Sequence, residues 1–461
     1  MSQSFGYPGK QKKTIFMNLN HHLLYSFISL LGFLLNANGE TLATNAPNNL
    51  PPGFTALWNG RNLDGWWGAG TEDPRKYLSL SAGEFQKKRD ASLGDIHQHW
   101  SVENSELVND GKGPCLTSNE FFGNFELRAD YKTVTLADSG IYLRGCPQVQ
   151  IWDSTEKAKF GIGADKGSGG LWNNSPGAPG KDPLVKADKP FGEWNSLRVI
   201  MVGSRVWVWL NDKQTVNGAV LENYFDNKLP VPPRGPIQLQ THGNTISWRN
   251  VFIREIGSDE ASGILRTSNP EGFKSVFNGK NLDGWTGPLD CCKVVDSAIV
   301  WQPGKDGTIY TEDEFSNFVV RLEFKLPPGG NNGLAIRYPG TGNPAYDAMC
   351  ECQVLDDQYE IATGNKIDPR QAHGSAYGMV AAVRGFQHPI SDWNYQEVTV
   401  TGSTIKVELN GTWILDADLA KVTEFMAGKQ HPGKDRTSGH FGLAGHDEPV
   451  MFRNISVKPL N

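Results

Sequence analysis

The sequence predicts an all-β protein that consists of two sandwich domains of the same design in tandem. Among its 461 residues are 52 glycines and 27 prolines, so turns are frequent and long helices are few. Short segments alternate apolar with polar residues, as in residues 125–130 and 206–210, which is typical of half-buried strands. A long internal repeat assigns the strands to two copies, and many short strands in each copy favour a two-sheet sandwich with jelly-roll connectivity.

Residues 1–46 are predicted to be a signal peptide with its leader. Residues 23–35 read LLYSFISLLGFLL, which suits the apolar core of a secretory signal and is short for a bilayer span. Basic residues such as Lys10 and Lys12 flank it, although Met17 is an alternative start and an uncleaved anchor is the alternative interpretation. We expect an exported protein, periplasmic or extracellular, with no stable membrane span after cleavage. Its oligomeric state stays open.

The internal repeat is clearest at the start of each copy. Residues 58–66 read WNGRNLDGW and residues 277–285 read FNGKNLDGW, and the two segments are identical at seven of nine positions. The register continues through three further pairs of segments: SGIYLR at 139–144 with NGLAIR at 332–337, VQIWD at 149–153 with CQVLD at 352–356, and GPIQLQTHG at 235–243 with GHFGLAGHD at 439–447. The repeat starts at residue 58 in the first copy and at residue 277 in the second. A repeat period of about 200 residues is long enough for each copy to be a complete domain with its own core.

The repeat sets the domain boundaries. The predicted domains span residues 51–256 and 271–461, and residues 257–270 form a polar linker without periodicity. The first copy carries an insertion at 72–99, which predicts a short helix over one sheet edge.

Cysteine usage and net charge argue against a disulfide scaffold, a zinc site and a nucleic-acid interface. Cys350 and Cys352 share one face of a strand, which we expect to be the core, and Cys115 and Cys146 are a plausible pair. A zinc site is disfavoured, since no histidine lies at finger-like spacing from a cysteine pair. The formal net charge of -6 supplies no field that gathers phosphates, so we expect no nucleic-acid partner.

Several separated sequence blocks, in the same order in both copies, resemble those of a known family. GFxxxWNGxNLDGW, SGIYLRGxPQVQIWD, GEWN and GPIQLQTHG followed by RN are similar to the 3-keto-disaccharide hydrolase domain family, over nearly all of both copies. The resemblance implies a concanavalin A-like sandwich and hydrolysis of glycosides whose sugar carries a ketone at C3, so the expected partner is a keto-sugar. The alternative is a non-catalytic, lectin-like protein in which one or both copies only bind glycan.

Strand alternation predicts one polar sheet face in each copy, because alternate residues of a strand point to opposite sides. The side chains on this face are Tyr142, Arg144, Gln148 and Gln150 in the first copy and Arg337, Glu351 and Gln353 in the second. Fixed planar hydrogen-bonding groups suit sugar hydroxyls, and aromatic rings suit the apolar face of a sugar. The alternative is an ordinary solvated sheet face.

Two histidines and several loop residues complete the candidate sites. His242 and His446 occupy matched positions before the last strand, and either is a candidate general base, electrophile or metal ligand. Other residues are expected to line the grooves or supply carboxylates: Asp153, Trp172, Asn173, Asn174, Glu193 and Glu222 in the first copy, and His373 and Tyr377 in the second.

The expected chemistry follows from the ketone. A carbonyl at C3 acidifies the hydrogen on C2, so a base removes it, the C1 substituent leaves by elimination, and water adds back. In the second copy His446 or Glu351 is the predicted base, and Arg337, with or without a divalent metal ion held by carboxylate and histidine, is predicted to stabilise the enolate. His242 and Arg144 are the counterparts in the first copy, which lacks a carboxylate at position 148.

Three other classes of enzyme lack support in the sequence. The candidate strand of the second copy carries Glu351 and Gln353 rather than the paired carboxylates of an ordinary retaining glycosidase. A GxSxG nucleophile elbow and a dinucleotide-binding fingerprint are missing as well, which disfavours esterases and oxidoreductases.

Overall fold

The computed structural model describes residues 49–460, so the predicted signal peptide and leader at 1–46 lie outside the described residues. None of the helices between residues 49 and 460 combines the length and apolar character that a bilayer crossing requires.

The first sandwich consists of two antiparallel sheets and two helices. Its strands in chain order are β1 (Thr55–Ala56), β2 (Trp66–Ala69), β3 (Trp100–Glu103), β4 (Glu106–Asn109), β5 (Cys115–Ser118), β6 (Phe125–Thr133), β7 (Ala137–Leu143), β8 (Cys146–Trp152), β9 (Asn195–Val202), β10 (Arg205–Leu210), β11 (Lys213–Val220), β12 (Gln238–Leu239), β13 (His242–Gly243) and β14 (Ile246–Glu255), and its helices are α1 (Pro74–Leu78) and α2 (Ala82–His99). One sheet has the order β11-β10-β9-β6-β14-β4-β3, with β1 paired to β14. The other has the order β13-β7-β12-β5-β2, with β8 paired to β7.

The second sandwich repeats this design. Its strands are β15 (Lys274–Ser275), β16 (Trp285–Thr286), β17 (Cys292–Val295), β18 (Ala298–Trp301), β19 (Gly307–Phe315), β20 (Phe318–Lys325), β21 (Asn331–Tyr338), β22 (Cys350–Leu355), β23 (Asn394–Thr401), β24 (Thr404–Leu409), β25 (Thr412–Asp418), β26 (Gly439–Gly445) and β27 (Met451–Pro459); helix α3 (Ser258–Thr267) precedes them, and α4 (Pro344–Asp347) and α5 (Tyr359–Thr363) lie among them. Its sheets have the orders β17-β18-β27-β20-β23-β24-β25, with β15 paired to β27, and β16-β19-β26-β21-β22.

Apolar residues on the inward face of each sheet form a separate core in each sandwich. Leu127 and Val199 lie in the first core, and Leu322 and Val398 lie in the second. The alternation of period two therefore holds as the sequence predicts. The predicted fold class, all-β with two concanavalin A-like sandwiches in tandem, is confirmed.

The insertion of the first copy folds over a sheet edge, as predicted. Helix α2 begins at a capping box, in which Ser81 and Glu84 bond each other's main-chain amides. The helix packs on the edge strand β2, where the Trp67 ring lies 5.5 Å from the ring of Phe85. The ring of Tyr77, from α1, also lies 5.5 Å from the Trp67 ring and stacks on Phe85 with centroids 6.1 Å apart. The insertion is thus fastened to the sheet by aromatic packing.

The segment between the sandwiches differs from the predicted polar linker, because it contains helix α3. Ala261 and Leu265 of this helix are buried in an apolar cluster with Trp207 of the first sandwich and Tyr395 of the second. The guanidinium of Arg205 also crosses the interface, donating from Nε to Oε1 of Glu408 at 2.6 Å. Short polar residues concealed this amphipathic helix in the sequence.

The cysteines are all free and buried in the described structure. Cys350 and Cys352 lie in the second core, as predicted. The predicted pairing of Cys115 with Cys146 is wrong, because β5 and β8 are separated by β12 and β7. Three strand spacings of about 4.8 Å exceed the Cα separation of about 6 Å that a disulfide spans.

Candidate active site

A polar cavity of about 290 Å³ lies over the sheet of β21, β22 and β26 in the second sandwich. We call it the Glu351 cavity. It is lined by Asn331, Asn343, Ala345, Tyr346, Glu351, Gln353, Leu355, Tyr359, Ile367, Gln371, Tyr377, Lys429 and His446. Of the residues predicted for the second copy, the structure therefore brings Glu351, Gln353, Tyr377 and His446 together.

Glu351 is a buried carboxyl without an ionic partner among the described residues. It projects from β22 opposite Cys350 and Cys352, and only 5% of its surface is exposed. Burial raises the pKa of Glu351 to about 8, and no cation offsets this effect. Gly333 on β21 leaves the space that the carboxyl occupies, because a Cβ at that position would overlap Oε1 of Glu351. The sheet thus holds a largely neutral carboxylic acid at neutral pH.

Gln353 lies beside Glu351 on the same face of β22. Its Nε2 donates to Oδ1 of Asn331 at 2.8 Å, which fixes the plane of the amide. The amide oxygen Oε1 of Gln353 is buried and accepts no hydrogen bond in the described structure. A buried acceptor in this state is costly unless a ligand hydroxyl or a water satisfies it.

Two tyrosines form an aromatic wall of the cavity. The rings of Tyr346 and Tyr377 meet edge to face with their centroids 6.2 Å apart. Gln371 holds Tyr377 by donating from Nε2 to the phenol oxygen at 3.1 Å. A wall of rings beside planar amides has the character of a sugar site.

His446 lies at the mouth of the cavity, directly after β26. Its side chain is about half exposed, and Nδ1 lies 3.6 Å from Oδ1 of Asp306. The ring therefore reaches both solvent and the cavity, as a group that exchanges protons with a ligand must.

The prediction that Arg337 and Arg144 face the grooves is wrong. Arg337 has a φ of 52°, at a bulge where the pairing of β21 with β26 changes register. The bulge turns the side chain away from the cavity, and the guanidinium donates to the carbonyls of Ser316 and Gly402 at 2.7 and 2.8 Å. Arg144 has a φ of 54° and donates to the carbonyl of Gly123 at 2.9 Å. Both arginines are buried anchors of loops, so neither is available to an enolate.

The predicted place of His373 at the groove rim is also wrong. The imidazole is buried against Phe324, with ring centroids 4.9 Å apart, and burial lowers the pKa of His373 to about 3. Its Nδ1 accepts from the main-chain amide of Leu355 at 3.3 Å. In the first copy Ser168 accepts from the matched amide of Trp152 at 3.2 Å. His373 therefore fastens a loop to the sheet.

The matched face of the first sandwich carries a closed polar network. Gln148 donates to Gln150, and Gln150 donates from Nε2 to Oδ1 of Asp138 at 2.8 Å. Oδ2 of Asp138 lies 3.2 Å from Nδ1 of His242 and 3.1 Å from Nζ of Lys159. We call these five residues the Asp138 network. Its members satisfy one another, whereas Glu351 stands alone.

Protonation in the Asp138 network follows from these pairs. Burial alone would raise the pKa of Asp138, but the bonds from His242 and Lys159 lower it below the usual value. The same hydrogen bond, which His242 donates to Asp138, raises the pKa of His242. The raised pKa leaves less of His242 in the neutral form that can accept a proton at neutral pH.

The other predicted groove residues of the first copy mostly hold their own loops. Asp153 accepts from the main-chain amide of Leu136 at 2.8 Å, and Glu222 accepts from that of Ser175 at 2.7 Å. Asn174 donates to the carbonyl of Val220 at 2.8 Å. These three side chains are committed to structural bonds.

Four further residues of the first copy were predicted to line its groove. The hydroxyl of Tyr142 lies 2.7 Å from that of Thr71, in the insertion. Trp172 occupies the place of Tyr377, and its Nε1 donates to the carbonyl of Ile162 at 3.0 Å. Asn173 has a buried, unbonded Oδ1, and Glu193 is exposed.

A family model decides the relationship of this chain to known proteins. The model of the 3-keto-alpha-glucoside-1,2-lyase-like domain matches residues 53–254 and 272–458. The chain belongs to this lyase-like family. A 3-keto-disaccharide hydrolase of Bacteroides thetaiotaomicron is 26% identical over 250 residues, which are 46% of this chain and 86% of that protein.

Solved structures of similar sequence come from Parabacteroides distasonis ATCC 8503. Two crystal structures of a "putative glycosyl hydrolase" are 24% and 27% identical to this chain, each with a TM-score of 0.37. They cover 42% and 41% of this chain, and the match covers 95% and 99% of their own lengths.

The second lyase-like domain offers few metal ligands. Within residues 49–460, no three His, Cys, Asp or Glu side chains gather as a ligand group. Glu351 is the one acidic residue of the cavity lining and His446 its one histidine, whereas cation sites generally use three or more protein ligands. The divalent metal ion therefore stays a prediction, and the reaction proposed for this domain uses its side chains.

Several residues of this lyase-like domain were missed by sequence reasoning. Asn331 lies one residue before the repeated NGLAIR segment and matches Asp138, so the repeat itself contained its signal. Tyr346, Tyr359 and Lys429 lie on short helices and loops outside the matched segments. No local pattern marks such loop residues, because only the tertiary fold brings them to the cavity.

Proposed function

We propose that the second sandwich is an enzyme domain that hydrolyses 3-keto-glycosides by elimination and hydration. Membership of the lyase-like family supports a carbohydrate hydrolase at the level of the family. The observation that carries the proposal is Glu351, a buried and unpaired carboxyl that faces a polar cavity. Groups with strongly shifted pKa values in a cavity are characteristic of active sites.

The first half of the reaction is the elimination. Nε2 or Nδ1 of His446 removes the proton from C2, and the electron pair of that bond forms the enolate between C2 and C3. The enolate then restores the C3 carbonyl and forms a double bond between C1 and C2, while the bond from C1 to the glycosidic oxygen breaks. Glu351, neutral below its raised pKa of about 8, donates its proton to the leaving oxygen.

The second half reverses these steps with water in place of the leaving group. The Glu351 carboxylate removes a proton from water as the oxygen bonds to C1, and the His446 imidazolium returns a proton to C2. Both side chains regain their starting protonation states. The net reaction is hydrolysis, without the paired carboxylates that direct displacement at C1 requires.

The cavity supports this chemistry better than conventional glycosidic hydrolysis. Glu351 is the one acidic residue among the residues that line it, so a second carboxylate at about 5 Å is missing from the lining. The unbonded Oε1 of Gln353 and the wall of Tyr346 and Tyr377 are suited to bind the hydroxyls and ring of one sugar. We further propose that the protein is exported, because residues 1–46 read as a signal peptide.

The test measures release of the leaving group from 3-keto-trehalose and from a 3-keto-glucoside by the full chain. We expect Glu351→Gln to lower kcat by about 1000-fold, because the amide cannot donate the proton. Gln148→Ala, at the matched position of the first sandwich, is the control and should retain activity. Binding of the keto-sugar by the wild type without release of product would instead support a lectin-like protein.

A further inference from the structure

The proposed elimination leaves one charge without a partner. When the proton leaves C2, negative charge develops on the oxygen at C3, and enzymes stabilise such oxyanions with a preorganised positive or hydrogen-bonding group. Arg337 cannot stabilise this oxyanion, because its guanidinium donates hydrogen bonds to the carbonyls of Ser316, Gly402 and Arg436. A side chain that supplies this stabilisation must be another of the residues that line the cavity.

Lys429 is the one lysine or arginine of the cavity lining. Its Nζ lies 3.5 Å from the ring centroid of Tyr346, so the ammonium is held over an aromatic face at the cavity wall. Lys421 and Lys434, its neighbours in sequence, form salt bridges with Asp418 and Asp435. Lys429 forms none with the described residues, so its charge is not cancelled by a carboxylate.

The first sandwich shows the opposite arrangement. Lys159 is the lysine that reaches its polar face, and Nζ lies 3.1 Å from Asp138 and 2.9 Å from Glu156. Two carboxylates neutralise this ammonium, whereas the ammonium of Lys429 lies against the π face of Tyr346 and pairs with no carboxylate of the described residues. Within residues 49–460, the second sandwich thus combines an unpaired cation with a neutral carboxyl around one cavity, and the Asp138 network of the first does not.

We infer that Lys429 is a catalytic residue that binds the C3 oxygen of the substrate and stabilises the enolate. This inference rests on the proposed function. In the step concerned, the C2–H bond breaks, the proton passes to His446, and the carbonyl π electrons move to the C3 oxygen, where the ammonium donates a hydrogen bond. Tyr346 is a positioning residue, because its ring holds the ammonium over the cavity.

The experiment separates enolate formation from cleavage. Its probe is 1,5-anhydro-3-keto-glucitol, which has the C2 hydrogen and the ketone but no leaving group at C1. The full chain is incubated with it in D2O, and exchange of the C2 hydrogen is followed by NMR. Lys429→Met, Lys429→Arg and the exposed-lysine control Lys421→Met are compared with the wild type, and thermal melting checks that each variant is folded.

We expect Lys429→Met to slow exchange by about 100-fold or more, the usual effect of removing one oxyanion donor. Lys429→Arg should retain exchange within about tenfold, because it keeps the charge, and Lys421→Met should match the wild type. For cleavage, the loss in Lys429→Met should fall on kcat more than on KM, because the interaction strengthens as charge develops.

Each alternative result has a distinct meaning. Exchange by Lys429→Met at the wild-type rate, together with an inactive Glu351→Gln, would overturn the role of Lys429 and leave the proposed function standing. Neither exchange nor cleavage by the wild type would overturn both. Equal losses in Lys429→Met and Lys429→Arg would also overturn the inference, since a charge-stabilising role predicts partial rescue by arginine.

Discussion

The two sandwiches share one scaffold and differ in where a single carboxylate lies. In the first, the acid is Asp138 on β7, and amides occupy positions 148 and 150 on β8. In the second, the amide Asn331 replaces Asp138, and the acid is Glu351 on β22. The bond from the glutamine to its neighbour is 2.8 Å in both copies. The surrounding geometry is therefore retained while the charge has moved by one strand.

This move changes the pKa of the sheet carboxyl in opposite directions in the two copies. Asp138 is ionised between His242 and Lys159, which lower its pKa, whereas Glu351 has no cation and its pKa is raised to about 8. His242 is paired with the half-buried sheet carboxylate of Asp138, whereas His446 lies 3.6 Å from the exposed carboxylate of Asp306. A closed network of this kind gives stability, while an unsatisfied one is available for chemistry.

Among the tests of this difference between the two copies, a substitution that displaces the Glu351 carboxyl should have the largest effect. In Gly333→Ala, the new methyl group overlaps Oε1 of Glu351 and displaces the carboxyl from its place. We expect kcat for a 3-keto-glucoside to fall by about 100-fold, since misplacing a reacting group by about 1 Å costs this much. Gly263→Ala in α3, where a Cβ meets no atom within 4 Å, is the control. Full activity of Gly333→Ala would remove Glu351 from the reaction.

Moving the carboxylate of the first sandwich from position 138 to position 148 should make its polar face resemble that of the second sandwich. In a Glu351→Gln background, Asp138→Asn together with Gln148→Glu gives the first copy the amide and acid of the second. We expect cleavage to rise about tenfold above that background, because a free carboxyl and an unpaired His242 are restored. Gln148→Glu alone is the control, since Asp138 would still occupy His242. If cleavage does not rise in the double variant, the loops, rather than the position of the carboxylate, account for the difference in activity between the two copies.

The pH dependence gives the mildest test of the comparison. Glu351 must carry a proton to donate it, so kcat should fall about tenfold per pH unit above a pH of about 8. Burial favours the neutral form in the fold, so wild-type stability relative to Glu351→Gln should decrease as the pH rises from about 4.5 towards 8. A pH–rate profile and urea melts of both proteins measure these trends. A flat rate from pH 7 to about 10 would contradict a role for Glu351 as proton donor.

The sequence was informative where structure is regular. The repeat and the period of two predicted tandem sandwiches, and the same alternation brought Glu351 and Gln353 to one face beside Tyr377 and His446. It failed at Arg337, which has a positive φ at a bulge, and at Arg144, which has a positive φ in the turn between β7 and β8, because neither residue continues the strand alternation.

Loops account for the remaining differences. His373 resembles a rim residue in sequence, but it accepts a main-chain hydrogen bond from β22 within the core. Tyr346 and Lys429 reach the cavity from segments far apart in the chain, and no spacing rule predicts their meeting. The catalytic roles given to Glu351 and His446 stay predictions, which the experiments above address.

The interface between the sandwiches has a consequence for the duplication itself. Separating the copies would remove the apolar cover of Tyr395 and break the ion pair between Arg205 and Glu408. Either sandwich expressed alone would therefore present an apolar face to water, and such a face favours aggregation, so the interface ties the solubility of each copy to the presence of the other.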